Sequence, residues 1–255
     1  MMRAVEFIPS DKLKPFVRVI SVHESEEGGN YKVLPGTEVV LGFQFSGRIS
    51  HIAAGISKLS TSGVTGIHDS VRKYSSAAGT GSVLVYFKDG GAASFFRTPL
   101  NEIFSESLSL DNFMLRSELL VFEDELCDAK TDRKRVSVVE KFLVSRLRNA
   151  EVDQMVMTAV ALIHKAKGMI RVADLLEPLH ISQAPLEKRF RRVIGTSPKK
   201  FASIVRMRNA IGSYHPSASL TELGYSAGFY DQSHFIKEFK AFTGETPNTF
   251  FKNNR

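Results

Sequence analysis

Residues 182–201 and 231–250 repeat one another at a constant offset of 49, and this echo decides what the C-terminal part of the chain can be. Ser182/Asp231, Leu186/Phe235, Lys188/Lys237, Phe190/Phe239, Arg191/Lys240, Gly195/Gly244, Pro198/Pro247 and Phe201/Phe250 correspond in type and spacing. Upstream the match runs at an offset of 48, pairing Val172 with Leu220, Leu175 with Leu223, His180 with Gly228 and Ile181 with Phe229. The change of offset puts a one-residue difference in a turn. A helix, turn, helix unit has been duplicated.

Each copy carries its own start and stop signals. Ser182 and Asp231 are short oxygen-bearing side chains suited to accept an unpaired amide proton of a first helical turn. Behind them Leu186, Phe190 and Val193 in one copy, and Phe235, Phe239 and Phe242 in the other, form the apolar stripe of a helix with one buried face. Gly195 and Gly244 tolerate the positive φ that closes a helix, and a proline three positions later opens the next element. The expected recognition helices span about 183–194 and 232–242. Their outer faces carry Gln183, Ala184, Glu187, Lys188 and Arg191 in the first copy, and Gln232, Ser233, Ile236, Lys237 and Lys240 in the second. Amides, hydroxyls and cations of this kind suit base edges and phosphates.

Between the copies, PKKFASIVRMRNAIGSY reads as one connecting helix of roughly 25 Å, at ~1.5 Å per residue. Such a rod would hold two recognition helices near the ~34 Å spacing of successive major grooves on one face of DNA. Charge is distributed to match. Residues 151–255 hold 15 Lys+Arg against 9 Asp+Glu, whereas residues 1–150 hold 19 against 18. A positive field confined to the repeat is the footprint of a polyanion partner. Within KRFRRV, Arg189 and Arg192 lie on the helix flank, where they are expected to clamp phosphate together with Arg191 and Lys240.

The segment SLTELGYSAGFYDQSHFIKEFKAFTGETPNTF, residues 219–250, resembles the second helix-turn-helix signature of the AraC/XylS family of bacterial transcription regulators. IRVADLLEPLHISQAPLEKRFRRVIGTSPKKF, residues 170–201, resembles the first. The resemblance implies a seven-helix domain that puts two recognition helices into adjacent major grooves of double-stranded DNA. By position in the motif it assigns base reading to Gln183, Ala184, Glu187 and Lys188 in the first copy, and to Gln232, Ser233, His234 and Lys237 in the second. The chain departs from the pattern in four ways, the first being Pro178 in the last turn of the preceding helix, where it removes one backbone donor. His180 stands where the first turn wants a residue of positive φ. Pro185 sits in the first turn of the first recognition helix, where its missing N–H is expected to be harmless. Gly224 replaces a small alanine, weakening its helix by ~1 kcal/mol. The first copy also carries Ala184, which offers no hydrogen bond. A division of labour is therefore expected, with more sequence reading in the second copy and more phosphate affinity in the first.

The N-terminal part has a different period. Between residues 31 and 88, EVVLGFQF places Val39, Leu41, Phe43 and Phe45 on one face, and SVLVYF at 82–87 is a second apolar strand. Short helices follow at GGAASFF and after Thr98–Pro99, with a longer one over 113–127. Two amphipathic helices, about 133–148 and 152–167, lead into the repeat. The fold expected is an α+β N-terminal domain, a small barrel or sandwich with helices, joined to an all-α DNA-binding domain with two helix-turn-helix units. Residues 1–128 form the sensor or regulatory domain, 129–150 a helical linker and 151–255 the DNA-binding domain. YFKDGGAASFFRTPLNEIF, residues 86–104, resembles the N-terminal sensing domains of one branch of AraC-type regulators.

No metal or cofactor is read. His23, His51, His68, His164, His180 and His215 show neither the spacing nor the carboxylates of a metal site. One cysteine, Cys127, fits a reducing cytoplasm, and no signal peptide or membrane span is read. A repair enzyme borrowing this DNA-binding module would need an activated thiol, whereas Cys127 sits in the acidic run EDELCDA, so no enzyme is expected. A DNA-binding transcription regulator with an effector-sensing N-terminal domain is the preferred reading. The alternative is a constitutive DNA-binding module whose N-terminal domain only dimerises. A small-molecule effector, RNA polymerase and a second copy of the chain stay open as partners, and no effector site is assigned.

Overall fold

The computed structural model describes residues 2–53, 55–148, 152–216 and 219–253. A strand-rich N-terminal half precedes a helical C-terminal half. Strands β1 (Met2–Phe7), β2 (Val17–Ser25), β4 (Val40–Ser46), β7 (Ser62–Thr65), β9 (Thr80–Phe87) and β10 (Ser107–Ser109) build a six-stranded antiparallel sheet in the order β1-β2-β9-β4-β7-β10. Strands β3 (Gly29–Val33), β5 (Ile49–Ile52), β6 (Ile56–Lys58) and β8 (Arg72–Ser76) build a second sheet in the order β3-β8-β5-β6. The two sheets make a sandwich.

Alternation along β4 and β9 explains how the larger sheet serves two environments. Val39, Leu41 and Phe43, with Val83, Val85 and Phe87, are buried toward helices α1 (Arg116–Asp128) and α2 (Asp132–Arg146). There Phe43, Phe122 and Phe142 form a three-ring cluster with centroids 4.3–5.8 Å apart. The intervening residues Val40, Gly42, Gln44, Ser82, Leu84 and Tyr86 face a cavity between the sheets. Phe45 is only half-buried and lies under the Arg135 guanidinium, 3.9 Å from its ring centre.

β1 and β2 precede the region in which the sequence pattern predicts strands. β2 is buried at nearly every position from Val17 to Val22 and contains a register shift between Val17 and Val19. A bulge of this kind destroys the two-residue period by which a strand is recognised. The stretch expected to link the domains is α2, which packs on α1, β2 and β9 and buries Val136, Val138, Val139 and Leu143.

Helices α3 (Gln154–Lys165), α4 (Ala173–Leu176), α5 (Gln183–Ile194), α6 (Pro198–Gly212), α7 (Leu220–Ser226), α8 (Gln232–Thr243) and α9 (Pro247–Asn253) complete the chain. The connecting helix α6 is shorter than its breaker-free sequence suggests. Ser213 closes it by turning its hydroxyl onto the Ala210 carbonyl, leaving 15 residues, or ~22 Å. One continuous apolar core runs through both halves. α5 packs directly on two 3-10 turns of the N-terminal half, Gly91–Ser94 and Leu100–Ile103.

Candidate nucleic-acid interface

The two expected recognition helices are α5 and α8, and each ends as the sequence requires. Gly195 has φ 101° and Gly244 has φ 79°, with their amides bonded to the carbonyls of Arg191 and Lys240. In α5 the buried stripe is Leu186, Phe190 and Ile194. Val193, expected as the third member, is half-buried beside Gly90.

The starts of the two helices differ. Asp231 accepts the amide of His234 at 2.8 Å, a complete side-chain cap. Ser182 occupies the same backbone position, yet its side chain makes no cap bond. The cause lies three residues on. The counterpart of His234 is Pro185, which has no N–H to donate, so the proline expected to be harmless removes the partner that the cap would use.

The preceding elements differ in the same direction. α7 begins with a full capping box, Glu222 N–H on Ser219 Oγ at 3.1 Å and Ser219 N–H on Glu222 Oε2 at 2.8 Å. Its S-x-x-E signature was present in SLTEL. α4 is a four-residue helix without a side-chain cap. His180 takes φ 49° in the first turn, where Gly228 takes φ 74° in the second. A side chain in that region costs about 1–2 kcal/mol.

Most of the residues expected to read bases are exposed. Gln183, Ala184 and Lys188 are open to solvent on α5, as are Gln232, Ser233, His234 and Lys237 on α8, while Glu187 is half-buried. On α5 the polar groups already engage each other. Gln183 Nε2 donates to Glu187 Oε1 at 2.9 Å, and Arg191 lies 3.7 Å from the other Glu187 oxygen. On α8 the nearest equivalent is a 3.9 Å approach of His234 to Glu238.

The four cations expected at phosphates separate into two pairs. Arg191 and Lys240 are exposed on their helices. Arg189 instead donates from Nε and Nη2 to both oxygens of Asp153, at 2.9 and 2.8 Å. Burial raises the Asp153 pKa, but the Arg189 hydrogen bonds and the Val156 amide outweigh it and hold the carboxyl below its usual range. Arg192 lines a cleft shared with the N-terminal half.

Several ion pairs fasten the repeat to the sandwich. His164 meets Asp89 at 2.7 Å, Lys200 meets Asp69 at 2.6 Å, and Lys32 pairs with Glu245 just beyond α8. Arg208 Nη1 donates to the Pro35 carbonyl at 3.3 Å. Arg206, on the connecting helix, lays its guanidinium 4.2 Å over Phe229 in the second turn, and burial lowers its pKa. None of these long-range partners carries a local sequence signal.

Residues 175–253 match a helix-turn-helix domain family, and residues 5–109 match a domain of unknown function, DUF6597. The Msm operon regulatory protein of Streptococcus mutans is 28% identical over 156 residues, which are 60% of this chain and 56% of that protein. These matches agree with the resemblance of the duplicated unit to AraC/XylS-type regulators. Residues 175–253 carry a helix-turn-helix domain, and the chain spans little more than half the length of its Streptococcus relative. Among solved structures it is similar to ToxT of Vibrio cholerae, at 11% identity over 98% of this chain and 97% of that one, with a TM-score of 0.48. It is also similar to an AraC-type transcriptional regulator of Chromobacterium violaceum, at 23% identity over 38% of this chain and 88% of that one, with a TM-score of 0.35. The Streptococcus relative is named as a regulatory protein and the Chromobacterium one as a transcriptional regulator. Burial and the flanking acids Asp124, Glu123 and Asp128 push the Cys127 thiol pKa up, away from the activated range. No helix of the described residues is long and apolar enough to cross a membrane, and no described cluster of His, Cys, Asp and Glu could hold a metal.

Proposed function

We propose that a single chain reads two adjacent major grooves, with α5 and α8 as the recognition helices. Gln232, Ser233, His234 and Lys237 on α8, and Gln183, Ala184, Glu187 and Lys188 on α5, contact base edges, while Arg191 and Lys240 bind the flanking phosphates. The observation that carries this reading is the pair of exposed polar helix faces held at a fixed separation by the rigid ~22 Å rod of α6. Footprinting of the full chain on a bound promoter fragment tests it. Two protected major-groove segments centred ~10 bp apart within one asymmetric site are expected. A single protected segment would remove one helix from the interface.

The N-terminal half, residues 1–128 with α2, acts as the sensor. Its ligand site is the cavity of about 320 Å³ between the two sheets. No lysine or arginine lines this cavity, and Glu24 and Glu38 on its wall are paired with Arg3, Arg135 and Arg18. Burial lowers the pKa of His23, lowers that of His68 to about 4 and raises that of Tyr31 to about 12, so all three are neutral near pH 7. An uncharged, largely apolar ligand with one or two hydrogen-bonding groups fits those walls. The next residues in the chain supply a route outward: Tyr31 precedes Lys32, which holds Glu245, and His68 precedes Asp69, which holds Lys200. A thermal-shift screen of neutral against anionic metabolites tests the assignment. A saturable rise in melting temperature is expected from neutral compounds. A response confined to carboxylates would overturn the ligand class.

A further inference from the structure

The cleft between the sensor and the first helix-turn-helix unit has a chemistry unlike that of the cavity between the sheets. It has a volume of about 460 Å³ and is lined by four arginines, Arg97, Arg148, Arg189 and Arg192, against two aspartates, Asp89 and Asp153. Both carboxylates are already engaged. Asp153 takes both donors of Arg189, and Asp89 pairs with His164. That leaves Arg97, Arg148 and Arg192 with no carboxylate partner among the described residues. Arg148 is aimed by its own fold contact, since its Nη1 donates to the Phe96 carbonyl at 2.8 Å. Three unneutralised guanidiniums around one recess add to a positive potential that favours an anion there.

We propose that this cleft binds a small phosphate-bearing ligand, held by Arg97 and Arg148 from the sensor side and Arg192 from α5. Guanidinium forks match the geometry of phosphate oxygens and can bond them in pairs. The recess is larger than an inorganic phosphate needs, and Phe16, Phe96, Pro99, Met157 and Val193 supply an apolar wall for the organic part of a phosphomonoester. DNA is the other phosphate source to weigh. A recognition helix offers its N-terminal residues to base edges, whereas the cleft adjoins the opposite end of α5, at residues 189–193, and two of its three free arginines belong to the sensor. A bound phosphomonoester joins the sensor directly to the first recognition helix and so fixes the position of that helix.

The test uses the full chain with phenyl phosphate and inorganic phosphate as probes, and sodium chloride at matched ionic strength as reference. Phenyl phosphate is expected to raise the melting temperature saturably beyond the chloride reference. Arg97→Gln is expected to raise the half-saturating concentration at least tenfold, while Lys237→Ala, on the far helix, leaves it unchanged. Arg148→Gln is expected to act like Arg97→Gln; if loss of its Phe96 bond unfolds it, Arg97→Gln decides alone, because the Arg97 side chain makes no hydrogen bond among the described residues. Without added phosphate, Arg97→Gln is expected to bind DNA within twofold of the unsubstituted chain. Equal effects of phenyl phosphate and chloride, or an unchanged half-saturation in Arg97→Gln, would overturn the proposal. A tenfold loss of DNA binding in Arg97→Gln without ligand would also overturn it, by assigning the cleft to the DNA backbone.

Discussion

The two helix-turn-helix units are copies in sequence and opposites in what holds them. The second is stabilised locally. It has a capping box on α7, a side-chain cap on α8, glycine in its turn and a cluster of Phe235, Phe239, Phe250 and Phe251. The first lacks the cap on α5 because of Pro185, and it carries a strained His180. It is held from outside instead, by the 3-10 turns packed on α5, the Arg189–Asp153 fork and the His164–Asp89 pair on the neighbouring α3. Weak local signals combined with strong tertiary contacts make the first unit the more dependent on the sensor, whereas the second meets it through the Lys32–Glu245 pair. The second unit is then the steadier reader of sequence.

The largest effect should separate these two modes of support. Phe239→Ala removes a fully buried ring from the second unit and should cost about 3–5 kcal/mol there. Calorimetry of the full chain is expected to show a new, earlier transition for α7–α9. Phe190→Ala, cut from a core shared with the sensor, should lower the main transition without splitting it. Identical thermograms would mean that the two units are equally tied to the rest of the chain.

Next in size are the readers. Lys237→Ala should weaken specific binding by about 1–3 kcal/mol and relax preference at one or two base pairs. Lys188→Ala should cost less, since its neighbours are Ala184 and the already bonded Gln183–Glu187 pair. Fluorescence-anisotropy titrations on the preferred site and on single-base variants measure both. A larger loss of discrimination from Lys188→Ala would invert the comparison.

Much of this was readable in the sequence because helix ends and buried faces leave local marks. The cap, stripe and glycine of each copy locate α5 and α8 closely. Pro185 shows a mark read too lightly, since a proline three positions after a cap residue removes the cap's donor. Other features carry no local mark. β2 escapes notice because burial and a bulge erase its alternation, and β1 because it is a mostly exposed edge strand with little apolar pattern. The sensor's grip on the first unit and its neighbour α3 joins residues such as Asp89 and His164, which are brought together only by tertiary packing.

Smaller effects sharpen the same contrast. His180→Gly should stabilise the first unit by about 0.5–1 kcal/mol by relieving its positive φ, although the more flexible unfolded chain offsets part of the gain. Gly228→Ala should destabilise the second unit. Chemical denaturation of the two variants measures both, and equal signs would contradict the different roles given to the turns.

The smallest effect concerns pH. The hydrogen bond to Asp89 raises the His164 pKa above 6.5, despite opposing burial. The pair's stabilisation is therefore complete below 6.5 and is lost as pH rises through the raised folded value. Hydrogen exchange in α3 and α5 should quicken over that rise while α8 stays unchanged, and His164→Gln should abolish the difference. Equal quickening in α8 would mean that the units share one attachment.

The most direct test is a binding-site selection by the full chain on duplexes in which both half-sites are randomised. Two half-sites ~10 bp apart are expected, with more fixed base pairs in the half facing α8 than in the half facing α5. Selection of only one half-site, or of an α5 half as constrained as the α8 half, would contradict the assignment of the second unit as the principal reader.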